Sequence, residues 1–128
     1  MSNANDPIAW IAIAEEDYNT ARAALRRRLP WLHTACFHAQ QCAEKYLKAI
    51  LTTKGGSFPK THDLLELCDL CEQAGVIVPL PIDDLDALSD HAVVTRYPAD
   101  APTMEDARAA LETAKAVRQF ARSYLNVK

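Results

Sequence analysis

Apolar positions in this chain recur at three- and four-residue spacing and almost never alternate. Ile11, Ala14, Tyr18, Ala21 and Leu25 make one such stripe. Ala35, Ala39, Cys42, Ala43, Tyr46, Ala49 and Ile50 make a second. Ala107, Ala110, Leu111, Ala114, Val117, Ala121, Tyr124 and Leu125 make a third, lasting about five turns. Each stripe is one buried face of an amphipathic helix. A shorter run, Leu64, Leu65, Leu67, Cys68, Cys71 and Ala74, predicts another helix between the second and third stripes.

Punctuation residues set the boundaries. Asp6 followed by Pro7 reads as a cap and first turn, and Pro30 stops the first helix. The second helix is expected over residues 31–53, ended by Gly55 and Gly56. Thr61 is the expected N-cap of the third, and Gly75 its end. Residues 76–81 contain two prolines and read as a connector rather than a strand. A fourth helix is expected over residues 83–96, with Asp83, Asp84 and Asp86 at its dipole-positive start and Pro98 limiting its end. Thr103 through Asp106 form a capping-box-like start for the fifth. The whole predicts one all-α domain over residues 1–128, with a core of about 7–126: an antiparallel four-to-five-helix bundle with short loops.

Composition narrows the function. Of the 128 residues, 49% are hydrophobic, enough for a real core. The net charge of -3 argues against broad, non-specific binding to long nucleic acid, which needs many cationic contacts. There is no apolar run long enough to span a membrane and no basic-then-apolar leader pattern at the N-terminus, so the expected setting is cytoplasmic. The four cysteines are then expected as reduced thiols. Cys68 and Cys71 form a C-x-x-C, but one pair supplies only two of the four ligands of a structural zinc and no βαβ context surrounds it, so no metal or other cofactor is expected. Arg26, Arg27 and Arg28 sit at the end of the first helix, where cations suit the dipole; a phosphate-binding role is the alternative.

The candidate chemistry lies on the polar side of the second helix. At about 100° per residue, His38, Gln41, Lys45 and Lys48 fall within about 80° of one another. An imidazole, an amide and two ammonium groups in one strip suit an anionic ligand, while pairing of Glu44 with Lys48 one turn on would make the same strip ordinary surface. His62 opens the third helix beside Asp63, either as part of the cap region or as a hydrogen-bonding group or base toward a neighbouring helix. Arg96 and Tyr97 stand immediately before Pro98, and a guanidinium held there suits bidentate phosphate recognition.

Three segments together carry a resemblance: Phe37-His38-Ala39-Gln40-Gln41-Cys42-Ala43-Glu44-Lys45-Tyr46-Leu47-Lys48-Ala49-Ile50-Leu51, then Thr61-His62-Asp63-Leu64, then Arg96-Tyr97-Pro98. In order and spacing they resemble the signatures of small prokaryotic HEPN-domain proteins. The resemblance implies a helical bundle, commonly a homodimer, associated with nucleotide or RNA, and paired in many cases with a minimal nucleotidyltransferase (MNT). It also implies, as an alternative, a metal-independent ribonuclease toxin of a toxin–antitoxin system acting as a dimer; a non-catalytic dimeric adaptor is the second alternative. Under this resemblance His38, Gln41, Lys45, Lys48 and Tyr97 are the expected nucleotide- or phosphate-binding residues, and Arg96 and His62 the expected catalytic ones. The chain departs from ribonuclease-type members in one respect. They carry a histidine shortly after the arginine, whereas no histidine follows Arg96 here. His91 precedes Arg96 and would lie about 140° away from it on a common helix. The base that RNA cleavage needs is therefore open among His38, His62 and His91.

Overall fold

The computed structural model describes residues 6–93 and 98–128. Residues 94–97, which include the Arg96-Tyr97 pair, lie outside the described residues. Among the described residues the chain forms five α-helices, two 3-10 turns and no strand: α1 (Pro7–Arg26), α2 (Leu32–Thr53), α3 (Leu64–Gln73), α4 (Ile82–Ser89) and α5 (Met104–Tyr124), with the turns at Asp90–Ala92 and Pro98–Asp100.

Local chemistry explains the boundaries. The Asp6 carboxylate accepts from the Ile8 amide with Pro7 in the first turn of α1. At the start of α5 Thr103 and Asp106 bond reciprocally to each other's backbone amides, a complete capping box. Gly75, at φ +91, ends α3: its amide bonds to the Glu72 carbonyl and the Val76 amide to the Cys71 carbonyl, the paired Schellman pattern.

Two boundaries differ from the sequence expectation. The N-cap of α3 is Asp63, whose carboxylate accepts from the Leu65 and Glu66 amides. Thr61 stands outside it, accepting from the Asp63 amide and donating to the Glu66 carboxylate, so the cap is built in two tiers. The fourth helix ends at Ser89, tightens into a 3-10 turn and is extended by Val93. Val93 is β-branched and extended, which stops the turn there, and the Ser89 hydroxyl is used to accept from the Leu64 amide at the start of α3.

The long helices make the frame. α2 packs most extensively on α1 and then on α5. Glu15 reaches Tyr46, and Asp17 reaches His38, so α1 and α2 run antiparallel. Tyr46 meets Arg122, and Cys36 shares a cavity wall with Asp106, so α5 runs in the direction of α2. The α3–α4 pair carries the chain back from the end of α2 to the start of α5. Every residue of the predicted inner face of α2, from Ala35 to Ile50, is buried. The α5 stripe is buried at Ala107, Ala110, Ala114, Val117 and Ala121, but its last aromatic, Tyr124, is 40% exposed and lies parallel to Phe120 on the surface.

Candidate functional site

α2 carries a charged group inside the bundle. Glu44 is 1% exposed, and both of its carboxylate oxygens are occupied. Lys48 Nζ donates to Oε2 at 2.9 Å, with Lys45 Nζ at 3.4 Å from the same oxygen. His62 Nδ1 lies 2.7 Å from Oε1, and the Gln40 amide approaches it at 3.5 Å. A buried carboxylate survives only when its lone pairs are filled in this way. Burial alone would push the Glu44 carboxyl up, yet hydrogen bonds from Lys48 and His62 and the charges of Lys45 and Lys48 outweigh it and hold the group below its ordinary value.

The amides complete the cluster. Gln40 Nε2 also donates to the His62 carbonyl at 2.8 Å, which pins the loop before α3 against α2. Gln41 Nε2 donates to Gln40 Oε1 at 2.7 Å, and Lys45 Nζ donates to Gln41 Oε1 at 2.8 Å. Gln40, Gln41, Lys45 and Glu44 thus close a ring of side-chain bonds along one helix. Lys48, expected in the polar strip, is only 6% exposed, and its ammonium also lies 5.7 Å from the centre of the Trp10 ring. His62 remains open: its side chain is 66% exposed. With Glu44 ionised, Nδ1 carries the hydrogen of their bond, which leaves Nε2 of the neutral ring with its lone pair.

Beside this cluster is an opening of about 290 Å³ between the start of α1 and the loop before α3. Trp10, Lys48, Phe58 and Lys60 line it, the two rings lying 6.2 Å apart and tilted by 54°. It therefore combines two aromatic faces with a buried and an exposed cation, and Lys48 is common to the opening and the Glu44 cluster.

The structure distributes the expected residues over more than one place. Gln41, Lys45, Lys48 and His62 meet around Glu44. His38 does not: its Nδ1 is 2.7 Å from Asp17 Oδ1, tying α2 to α1. His91 lines a smaller cavity of about 100 Å³ with His33, Cys36, Phe37 and Asp106. Burial lowers its pKa against the opposing charges of Asp106 and Asp90. Cys71 is buried and Cys68 half-buried, both as free thiols. Among the described residues no group of three or more histidine, cysteine or acidic side chains is placed to hold a metal, and no helix is long and apolar enough to cross a membrane.

Sequence reasoning treats Glu44 only as a surface partner of Lys48 and does not single out Gln40, Trp10, Phe58 or Lys60. A signal for Glu44 is present: Gln40 and Lys48 stand one turn before and after it, among alanines and leucine, so all three share a largely apolar flank. Nothing local marks Trp10 and Phe58, because their meeting depends on how the loop after α2 folds back over α1. A second tie escapes for the same reason. Arg118 donates to both oxygens of Glu15 at 2.7 and 2.8 Å, Tyr46 donates its hydroxyl to the same carboxylate, and Arg122 donates to the Tyr46 oxygen at 3.1 Å.

An all-α bundle whose second helix carries a satisfied polar cluster against a two-helix crossover is a small helical-bundle domain of defined type. A model of the HEPN domain matches residues 8–124, and the chain belongs to that family. It is similar to TT1696 from Thermus thermophilus, a crystal structure at 29% identity that aligns over 96% of this chain and 98% of that one with a TM-score of 0.68. ST0689, described as an archaeal HEPN homologue, shares the fold at 24% identity, over 97% and 98% of the two chains, with a TM-score of 0.66. No curated protein gives a significant match.

Proposed function

We propose that this HEPN protein binds a nucleotide or an RNA end in the opening between Trp10, Phe58, Lys48 and Lys60, and that it acts in the cytoplasm as a homodimer with a minimal nucleotidyltransferase. The observation that carries this reading is the sharing of Lys48 between the opening and the Glu44 cluster. A base would stack against the aromatic faces, and Lys60 would meet the phosphates. Glu44 fixes Lys48 and orients His62, so the polar wall is already organised before a ligand arrives. Gln41 and Lys45 serve this reading by holding the cluster, and His38 by holding α2 on α1. By resemblance, Arg96 and Tyr97 would add a phosphate contact and a stacking or modification site.

The test is equilibrium titration of the full chain with ATP, GTP, AMP and a short RNA, repeated with Phe58→Ala, Lys60→Ala and Arg96→Ala. Weakening by the first two variants supports the opening as the site. Unchanged binding in both rejects it. Co-purification with an MNT protein encoded beside it tests the partnership separately.

One observation favours ribonuclease activity as a second reading. The His62 ring is exposed while a buried carboxylate holds Nδ1, and in this reading Nε2 would take the proton of an RNA 2′-hydroxyl. The freed oxygen would then attack the adjacent phosphorus and expel the 5′-oxygen, which takes up a proton, leaving a cyclic phosphate. Growth arrest on expression, relieved by His62→Ala, is the expected outcome; no arrest and no cleaved RNA rejects it.

A further inference from the structure

The junction of α1 and α2 holds a second arrangement that the Glu44 cluster does not use. Arg26 is the only basic residue in the last turn of α1; Arg27 is its C-cap and Arg28 lies beyond. The Arg27 guanidinium lies 3.6 Å from the centre of the Trp31 ring. Trp31 nevertheless stays 55% exposed, next to Leu29 at 78%. Arg26 and Arg28 are exposed, with no ion-pair partner among the described residues.

Trp31 borders an open groove of about 540 Å³, walled also by Pro30, His33, Ala101 and Pro102. An exposed tryptophan stiffened by a stacked guanidinium, with two further exposed arginines beside Arg27 in the chain and an apolar groove along the ring, has the parts a single nucleic-acid strand needs. The ring and groove receive unstacked bases, and the arginines receive phosphates. A duplex hides its base faces, so only its phosphates would engage. The overall charge of -3 sharpens the argument, since such a chain has no general attraction for polyanions and must rely on a local basic patch.

We infer that the Arg27–Trp31 stack and the adjoining groove form a binding platform for a single nucleic-acid strand, for which RNA is the probe below, distinct from the opening beside Glu44. The two places share no residue, so a mononucleotide at one and a strand at the other are compatible.

The experiment uses the full chain and a fluorescein-labelled eight-nucleotide RNA of mixed sequence, offered single-stranded and as a duplex with its complement. Single-strand binding is expected to exceed duplex binding. Trp31→Ala should weaken the single strand about tenfold, a typical loss for one stacking contact. Trp31→Phe should restore it to within about threefold, because a smaller ring still stacks. Arg28→Ala should lower the salt dependence by about one phosphate contact. Thermal melts of each variant verify folding, and the exposed position of Trp31 makes its replacement tolerable. Equal affinity of the native chain and Trp31→Ala, equal affinity for strand and duplex, or competition by poly-glutamate as effective as by RNA would overturn the assignment. ATP titration with Lys60→Ala is read independently, so a failure at the Glu44 opening leaves this result standing.

Discussion

Nδ1 of His62 lies 2.7 Å from Oε1 of Glu44, and the bond joins the middle of α2 to the end of the glycine-containing loop that precedes α3. The bond joins a nearly inaccessible carboxylate to a largely exposed ring. It therefore couples the interior of α2 to the surface, and it fixes the loop from which Phe58 and Lys60 reach the proposed ligand.

Removing Glu44 should be costly for stability. In Glu44→Ala the Lys48 ammonium, with its side chain 8% exposed, loses its closest acceptor. An uncompensated buried charge of this kind costs about 3–5 kcal/mol. Urea unfolding should show that loss, and Glu44→Ala combined with Lys48→Met should recover most of it. If the double variant is no more stable than Glu44→Ala, the charge of Lys48 is not the source of the cost.

Acid should act through two carboxylates. The Glu15 carboxyl is lowered chiefly by its Arg118 hydrogen bonds, and that of Glu44 is lowered despite burial. Groups whose folded pKa lies below the unfolded one contribute stability above the ordinary value of 4.5, and this is lost as pH falls through the folded value. Stability should thus drop steeply below the ordinary carboxylate range. Glu15→Gln should be less stable at neutral pH and show a shallower acid dependence, measured by thermal melts across pH.

His91 should add a milder dependence starting higher. Burial lowers its folded pKa from 6.5, so the folded state favours the neutral ring over the charged one. The associated stability is present above 6.5 and is lost as pH falls through the lowered value. Replacing it as His91→Gln should flatten the melting-temperature profile just below pH 6.5. An unchanged profile would mean that the ring is hydrated in the folded state.

Much of this architecture was legible, and the reasons differ by element. The Asp6-Pro7 start of α1, the Thr103–Asp106 box of α5 and the glycine after α3 are all local, and a single turn of chain contains every atom involved. The inner face of α2 was equally readable, because small and apolar residues repeat there without interruption. The end of α4 was not. No proline or glycine intervenes before Pro98, and the β-branched run after Ala92 is a weaker signal than either. The site was legible in part. Lys48 reads as a surface cation because charge is read from residue type, whereas its burial follows from Glu44 beneath it and Trp10 above it. The Arg96-Tyr97 pair remains a matter of resemblance.

The cysteines should be inert. Burial pushes the Cys36 and Cys71 thiols up to about 11 and Cys68 up to about 12, and raises Cys42 further. Since the thiolate is the reactive form, a disulfide reagent at neutral pH should modify the native chain very slowly and all four thiols quickly in denaturant. Cys68, the one partly accessible thiol, should react first. Rapid labelling of Cys42 in the native state would imply that α2 opens on its own.

The Glu15–Arg118 tie should show a preference for arginine. Two parallel hydrogen bonds require the planar fork, and the same guanidinium lies 4.6 Å from the centre of the Tyr18 ring. An ammonium at this position supplies a point charge without either geometry. Each partner is 26% exposed, so solvent screens part of the attraction. Arg118→Ala should therefore cost about 1–3 kcal/mol, less than a fully buried pair. Arg118→Lys should recover well under half of that in urea unfolding. Tyr46→Phe, which removes only the third donor to the same carboxylate, should cost about 1 kcal/mol and should not add fully to Arg118→Ala, because both act on one acceptor. Full additivity would show that Glu15 can hold each partner independently, and the tie between α1, α2 and α5 would then be two contacts rather than one network.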